Sequence, residues 1–575
     1  MANGISVYTR WEVREDGSDT LNSGGFVPQV TTLGSGMLAD LACTSGTTGT
    51  ASCIVTSTSA PFAASDVGAQ LFIAKGTSWK PGWYPILYYN DPGTLTIDTR
   101  AGEWVAFSPY EDCLTTDGCG SAASLTDGTF CIDYSQQASA QVTWSAGTLS
   151  VTGTILTDSA SAFSPKYVGN VFAIGTTYVS CTGYKSPAEL ICTTGGTSAF
   201  NTNGFMGGAM GSIGYLAGEI MSANNTIWIK SGNYSITTSA VNVSNGRFVP
   251  SNSNINMHGV QLIGYGNHRN DNGTKPVITA QPNLGVNLNL IQGTYASGAK
   301  GWSHGLVRNI KFVGNRSTNT DIFCIVGTTF STSVEYCEFY GFGCGGYTSA
   351  SYFLCYSEDC YAGFMGAFCK YCFAYNCHYG FINDYVSSRY NVTTGTRDSC
   401  LAHSCTGGFY GPVSNGNASQ PSDVYSSCGA YNCIWYGFNI AASYSTSVSF
   451  VPISSIACAW CWAYGTTSGK GFKAHSGGDV VGLFYCAGGS NTGGNYDSSM
   501  IPMGGFTTLT RDPLVDATIK NYEPSMDPLA GCELRIQTDL TQWLPQINTI
   551  LYRDLGPAQH KDLKQSAVLF NITTR

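Results

Sequence analysis

The chain has 575 residues, a net charge of −9 and only 11% charged residues, with 70 glycines and 23 cysteines. Its acidic balance, without a dense basic cluster, excludes the electrostatic footprint of a nucleic-acid binder. No run of 18 apolar residues occurs, so no membrane insertion is expected.

The opening MANGISVYTRWEV lacks the charged-then-apolar signature of a secretory signal. Residues 1–40, with NSGGFVPQ and LGSG, read as an N-terminal arm. Next comes a duplication. Residues 56–73, TSTSAPFAASDVGAQLFI, match residues 157–174, TDSASAFSPKYVGNVFAI, at a constant offset of 101. Phe62 aligns with Phe163, Val67 with Val168, Gly68 with Gly169 and Ile73 with Ile174. Each copy leads to a short strand signal, Leu95-Thr96-Ile97 and Leu190-Ile191-Cys192. The expected form is a small β module, a sandwich or small barrel, at 41–105 and again at 141–215, with a connector at 106–140.

From 216 the pattern changes. Residues 223–234, 259–266 and 306–312 alternate apolar and polar side chains and then turn. After them comes a ruler. Cys355, Cys360, Gly363 and Phe364 form C-x-x-x-x-C-x-x-G-F. The spacing returns at Cys372, Cys377, Gly380 and Phe381, and again at Cys400, Cys405, Gly408 and Phe409. The copy at Cys428, Cys433, Gly437 and Phe438 carries one extra residue before Gly-Phe. A fifth, starting at Cys458, has Cys461 early. Starts are 17, 28, 28 and 30 residues apart. Such a unit cannot bury its own apolar face and must stack on neighbours. The runs between glycines are rich in strand formers and hold no helical period. The expected fold is all-β: a parallel β-helix solenoid over 216–510, preceded by the duplicated module and followed by a C-terminal cap or tail at 511–575.

Stacked coils place equivalent residues about 4.8 Å apart. Cys355, Cys360, Cys372, Cys377, Cys400, Cys405, Cys428, Cys433 and Cys458 are therefore expected to form an internal ladder of small, buried side chains. Each Gly-Phe step is expected to be a glycine corner followed by a stacked phenylalanine. Fifteen of the 23 cysteines lie between Cys324 and Cys486 and are read as reduced. Cys113 with Cys119, Cys43 with Cys53, and Cys181 with Cys192 are the disulfide candidates. The C-x-x-C pairs Cys369/Cys372 and Cys458/Cys461 lack a matching second pair at zinc-finger spacing and are read as core. No metal and no cofactor is expected.

The segments Ile227 to Tyr234, 259–266 and 307–312 resemble the first coils of pectin-lyase-like right-handed parallel β-helices. WEVREDGSDTLNSGGFV at 11–27, IDYSQQ at 132–137 and YRDLGPAQH at 552–560 resemble β-helix proteins of tailed bacteriophages. The resemblance implies a structural virion protein, assembled in the bacterial host cytoplasm: a homotrimeric tailspike, fibre or capsid decoration for host attachment. Its partners would be other virion proteins and host surface polysaccharide.

Two alternatives stay open. One is a polysaccharide lyase or glycoside hydrolase on the same fold. A hydrolase needs two carboxylates about 5–10 Å apart on one face, and the candidates are Glu358, Asp359, Asp384 and Asp398. Glu358 and Asp359 are adjacent, so along one strand they face opposite sides. The other alternative is a noncatalytic glycan-binding adhesin. Trp435, Tyr436, Trp460 and Trp462 are concentrated in the turns between repeats, where exposed rings stack on sugars.

Overall fold

A computed structural model describes residues 10–17, 38–45, 52–60, 62–67, 70–79, 82–98, 119–120, 122–133, 142–163, 167, 171–174, 177–192, 199–206, 209–213, 225–236, 259–266, 274–280, 289–292, 305–314, 323–326, 332–382, 396–411, 424–440, 456–459, 461–474, 481–509, 514–516, 521–524, 535–537 and 552–554. The protein is all-β, with long parallel sheets and two closed antiparallel barrels. Its contacts divide it into two compact units: Met1–Leu284 with 289–312 and 327–332, and Ser333–Arg575 with 285–288 and 313–326. Among the described residues no helix is long and apolar enough to cross a membrane.

The first unit holds both barrels. The first is built from Leu38–Ser45, Ser52–Thr56, Gln70–Thr77, Gly82–Asp91, Thr94–Asp98 and Leu125–Asp133. The second uses Val142–Thr152, Ile155–Asp158, Val171–Ile174, Thr177–Ser186, Glu189–Cys192 and Ala199–Met206. Strand order around the two barrels is the same. Alternation along Ser52–Thr56 sends Cys53 and Val55 inward and leaves their neighbours exposed. Phe62 and Phe163, paired by the sequence offset, each enter their barrel's core. The turn after Ser52–Thr56 is tied by the Asp40 carboxylate. It accepts from Ser57 Oγ (2.7 Å), Thr58 N (2.9 Å), Thr58 Oγ1 (2.8 Å) and Ser59 N (2.8 Å). In the second barrel Asp158 has this task, accepting from Ala162 N at 2.8 Å.

The same unit contains parallel strands. Arg10–Val13 pairs with Thr226–Lys230, which pairs with Gln261–Tyr265 and through it with Leu306–Arg308. Ile227, Leu262 and Val307 fall in one register column, all fully buried. Arg10–Val13 corrects the reading of 1–40 as only an arm. Trp11 is fully buried there, its Nε1 donating to Asn225 Oδ1 at 2.9 Å.

The second unit contains a stack of parallel strands in register, with shifts after Thr348, Ile456 and Phe484. One column runs Tyr356, Phe373, Leu401, Gly429, Trp462 and Ala487. Between columns the chain bends at residues in the left-handed region: Leu354, Asp359, Tyr371, Asn376, Ser399, Ser404, Ser427 and Asn432, with φ of +49° to +55°. In each of these eight, the backbone N–H donates to a carbonyl of the next coil at 2.8 to 3.2 Å. Each such residue costs on the order of 1–3 kcal/mol. The coil-to-coil hydrogen bond, about 1 kcal/mol net, together with the buried residue that follows, holds it there.

Every one of those bends is followed by a ladder cysteine, and the cysteines form two ladders. Cys355, Cys372, Cys400, Cys428 and Cys461 each point Sγ at a carbonyl of the preceding coil, those of Val334, Tyr352, Cys369, Arg397 and Tyr425, at 3.3 to 3.5 Å. Cys360, Cys377, Cys405 and Cys433 do the same with Phe339, Ser357, Ala374 and Ala402. The C-x-x-x-x-C spacing is thus one three-residue strand between two bends. All nine side chains are buried free thiols. Burial pushes the Cys433 thiol up to about 12 and holds Cys360, Cys377, Cys400 and Cys428 well above the usual thiol range.

Two expectations are corrected. Cys458 is not the fifth ladder member: it pairs with Tyr425 inside a strand, and Cys461 takes the ladder position. Nor does Gly-Phe make a corner. Gly363, Gly380, Gly408 and Gly437 lie within strands, and a Cβ on each would sit 2.3 to 2.7 Å from a carbonyl oxygen of the next coil. The phenylalanines stack as expected. Phe364, Phe381, Phe409, Phe438 and Phe472 have successive centroids 5.2, 4.7, 4.5 and 4.8 Å apart.

Candidate functional site

The row of residues just after the second cysteine ladder reaches the surface. It contains Tyr361, His378, Thr406 and the pair Ile434–Trp435, linked coil to coil by backbone hydrogen bonds. Gly407 pairs with Tyr436 and Phe409 with Phe438, so the extra residue of the fourth repeat falls at Ile434–Trp435. Both side chains of this longer bend face outward, Ile434 at 43% and Trp435 at 47% exposure, as Tyr361 does at 42% in a regular repeat.

The rings form a connected face. Tyr361 stacks on His378 at 4.8 Å and 18°. Trp435 meets the same imidazole edge-on at 5.3 Å and 83°. His378 also contacts Tyr379 at 4.5 Å, and Tyr379 stacks on Tyr410 at 5.3 Å. Tyr410 in turn lies 6.1 Å from Tyr436. Burial raises the Tyr379 and Tyr410 hydroxyls above the usual phenol range, so at neutral pH both stay protonated donors. Flat apolar rings edged by hydroxyls and an imidazole suit a ligand with a C–H face and a hydroxyl rim, which is the chemistry of a sugar ring.

Of the three described aromatic candidates, only Trp435 presents its ring to solvent. Tyr436 is 5% exposed and lies over Gly407, where an added Cβ would meet its ring at 2.8 Å. Trp462 is 1% exposed over Gly429 and has no face left for a ligand. Trp460 lies outside the described residues. Sequence reasoning missed Tyr361, Tyr379 and Tyr410; their signal was an offset of one or two residues after a second cysteine, or one after Phe409.

The carboxylates do not converge. Glu358 is half-buried and accepts from Tyr356 Oη. Asp359 is not on that strand, as the adjacency argument assumed. It occupies a left-handed bend, and its side chain accepts from Asn376 Nδ2. Asp398 lies in the column of Lys370, pairs with its Nζ at 3.4 Å and accepts from Ser399 Oγ at 3.1 Å. Glu358 belongs to a different column, with Tyr375 and His403. Asp384 lies outside the described residues. Each described candidate is therefore engaged locally, Glu358 within its own strand and Asp359 and Asp398 with a residue of the adjacent coil.

The C-x-x-C pairs are likewise split between an inward strand position, Cys369 or Cys458, and a bend position, Cys372 or Cys461. Cys181 and Cys192 stand directly opposite each other in the second barrel as buried free thiols. Cys113 lies outside the described residues, and Cys119 instead lies with Cys43 and Cys53. No family model and no curated protein matches the chain.

Proposed function

We propose that the parallel stack is a right-handed parallel β-helix serving as a structural protein of a tailed-phage virion, as a spike, fibre or capsid-surface decoration. In this reading the protein is a homotrimer bound to other virion proteins. The observation that carries it is the interior of the second unit. Two cysteine ladders, a glycine column and a phenylalanine stack run in register from coil to coil, and the described carboxylates are engaged in holding the coils. Such a stack is a rigid rod whose stability grows with each neighbour. Of the segments that resemble phage β-helix proteins, Trp11–Val13 and Tyr552–Asp554 lie on strands, and the segments that resemble pectin-lyase-like β-helices include the strands Thr226–Lys230 and Gln261–Tyr265. Light scattering of the purified chain should give about three times 60.9 kDa, and labelled protein should bind purified virion proteins. A monomer without such affinity overturns the reading.

One observation favours a second role, noncatalytic binding of host surface glycans. Trp435 is exposed and meets His378, which stacks on the exposed Tyr361. A glycan array with the wild-type chain and Trp435→Ala tests it: retention lost only in the variant supports the role, and equal retention removes it.

A further inference from the structure

The first barrel contains a feature that coil packing does not use. Cys43, Cys53 and Cys119, at 1%, 3% and 0% exposure, bring their three sulfurs within 4.8 Å of one another. Cys53 Sγ and Cys119 Sγ are 2.9 Å apart. Three separate parts of the chain are needed for this. Cys43 and Cys53 come from neighbouring strands, Leu38–Ser45 and Ser52–Thr56. Cys119 is brought in by the antiparallel bridge between Trp79 and Gly120. Gly120 is obligatory in that bridge, since a Cβ there would lie 2.4 Å from Leu125 Cδ2 and 2.7 Å from the Ser78 carbonyl oxygen.

The second barrel supplies the comparison. Cys43 pairs with Val55, and Val151 pairs with Leu156, which the offset of 101 aligns with Val55. The position of Cys43 is therefore filled by Val151, 2% exposed. Cys53 aligns with the exposed Thr154. The same barrel topology thus closes without either thiol, so packing alone does not call for the cluster. A disulfide would use two sulfurs at about 2.0 Å and leave the third packed against them. Three converging sulfurs instead match the ligand set of a thiophilic ion, in which each sulfur sits about 2.3 Å from the metal.

We propose that Cys43, Cys53 and Cys119 form a three-thiolate site for one soft metal ion of the zinc class, stapling the first barrel. Binding exchanges three S–H protons, released to solvent, for one divalent ion and leaves a net charge of −1 on the cluster. Strands and bridge are then joined at one point.

The test uses the full-length protein, purified without chelator and incubated with one equivalent of ZnCl2, then with CdCl2. Elemental analysis after gel filtration should find about one metal per chain, and cadmium should add a thiolate charge-transfer absorption. Cys43→Val, which copies the second barrel, should lose both and stay folded by circular dichroism; Cys119→Ser should lose both; Cys181→Ser should keep both. Three thiols that all alkylate in the zinc-treated native protein would overturn the proposal. So would a Cys53–Cys119 disulfide found by nonreducing peptide mapping, or metal retained in Cys43→Val.

Discussion

The Trp435 indole meets the His378 imidazole edge-on at 5.3 Å although their coils are separated by a third, which carries only Thr406 and Gly407 at that row. The contact falls at the one-residue expansion of the fourth repeat. Deleting Ile434 restores the regular repeat length and should shift Trp435 out of its edge contact with His378. Trp435→Ala removes the ring while leaving the bend. Both variants are expected to lose glycan retention. Trp435→Ala should also cost little stability, because the side chain is 47% exposed and an edge contact contributes about 0.5–1.5 kcal/mol. A glycan array read beside thermal melts separates these effects.

The left-handed bends carry a different prediction. Ser404 has φ +53° with its N–H bonded to Tyr431 O at 2.9 Å. Glycine adopts this φ without steric penalty, and Asn tolerates it better than Ser. Asn376 and Asn432 already hold the matching bends on the two flanking coils. Ser404→Asn is therefore expected to raise the thermal midpoint slightly, by the equivalent of about 0.5 kcal/mol. Ser404→Val, β-branched at positive φ, should lower it by more than 1 kcal/mol or so. Equal midpoints for the two variants would mean the bend is not strained.

Phe409 lies between Phe381 and Phe438, at 4.7 and 4.5 Å with interplanar angles of 6° and 3°. The spacing is imposed by the coils, whose strands repeat at about 4.7–4.9 Å. Removing the middle ring opens a cavity bounded by two other rings. Phe409→Ala should destabilise by about 3–5 kcal/mol and Phe409→Leu by less. Unfolding in denaturant, followed by near-ultraviolet circular dichroism, measures both. A loss below about 1 kcal/mol for the alanine variant would show that the stack collapses to fill the gap.

The ladders were legible because a solenoid repeats its interior, so one spacing reports one position many times. Phe364 to Phe438 stack as the ruler implied. The bends were not legible, because Leu354, Tyr371 and Ser399 carry no preference that announces a positive φ. They are held left-handed by hydrogen bonds to another coil, a non-local cause. Trp462 shows the same limit. Its burial is decided by the absence of a side chain at Gly429, one coil before it. The thiol cluster shows it again, since Cys119 joins Cys43 and Cys53 only through the Trp79–Gly120 bridge.

Asp40 sets a pH dependence in the first barrel. Burial alone would raise its carboxyl, but hydrogen bonds from Ser57, Thr58 and Ser59 outweigh that and hold it at about 2. The unfolded value is about 3.9. Because the folded value is the lower, the contribution is fully present above pH ~4 and is lost as pH falls through about 2. The carboxylate is half-buried, so screening by solvent still keeps the effect local. Hydrogen exchange of the peptide covering 52–60 in the intact chain, corrected for intrinsic rates, should show protection at the Ser59 and Ala60 amides falling between pH 4 and 2. Asp40→Asn keeps the shape but loses the charge-assisted bonds. It should show the lower protection at every pH and remove the pH dependence. Protection that falls equally in wild type and Asp40→Asn would assign the transition to another group.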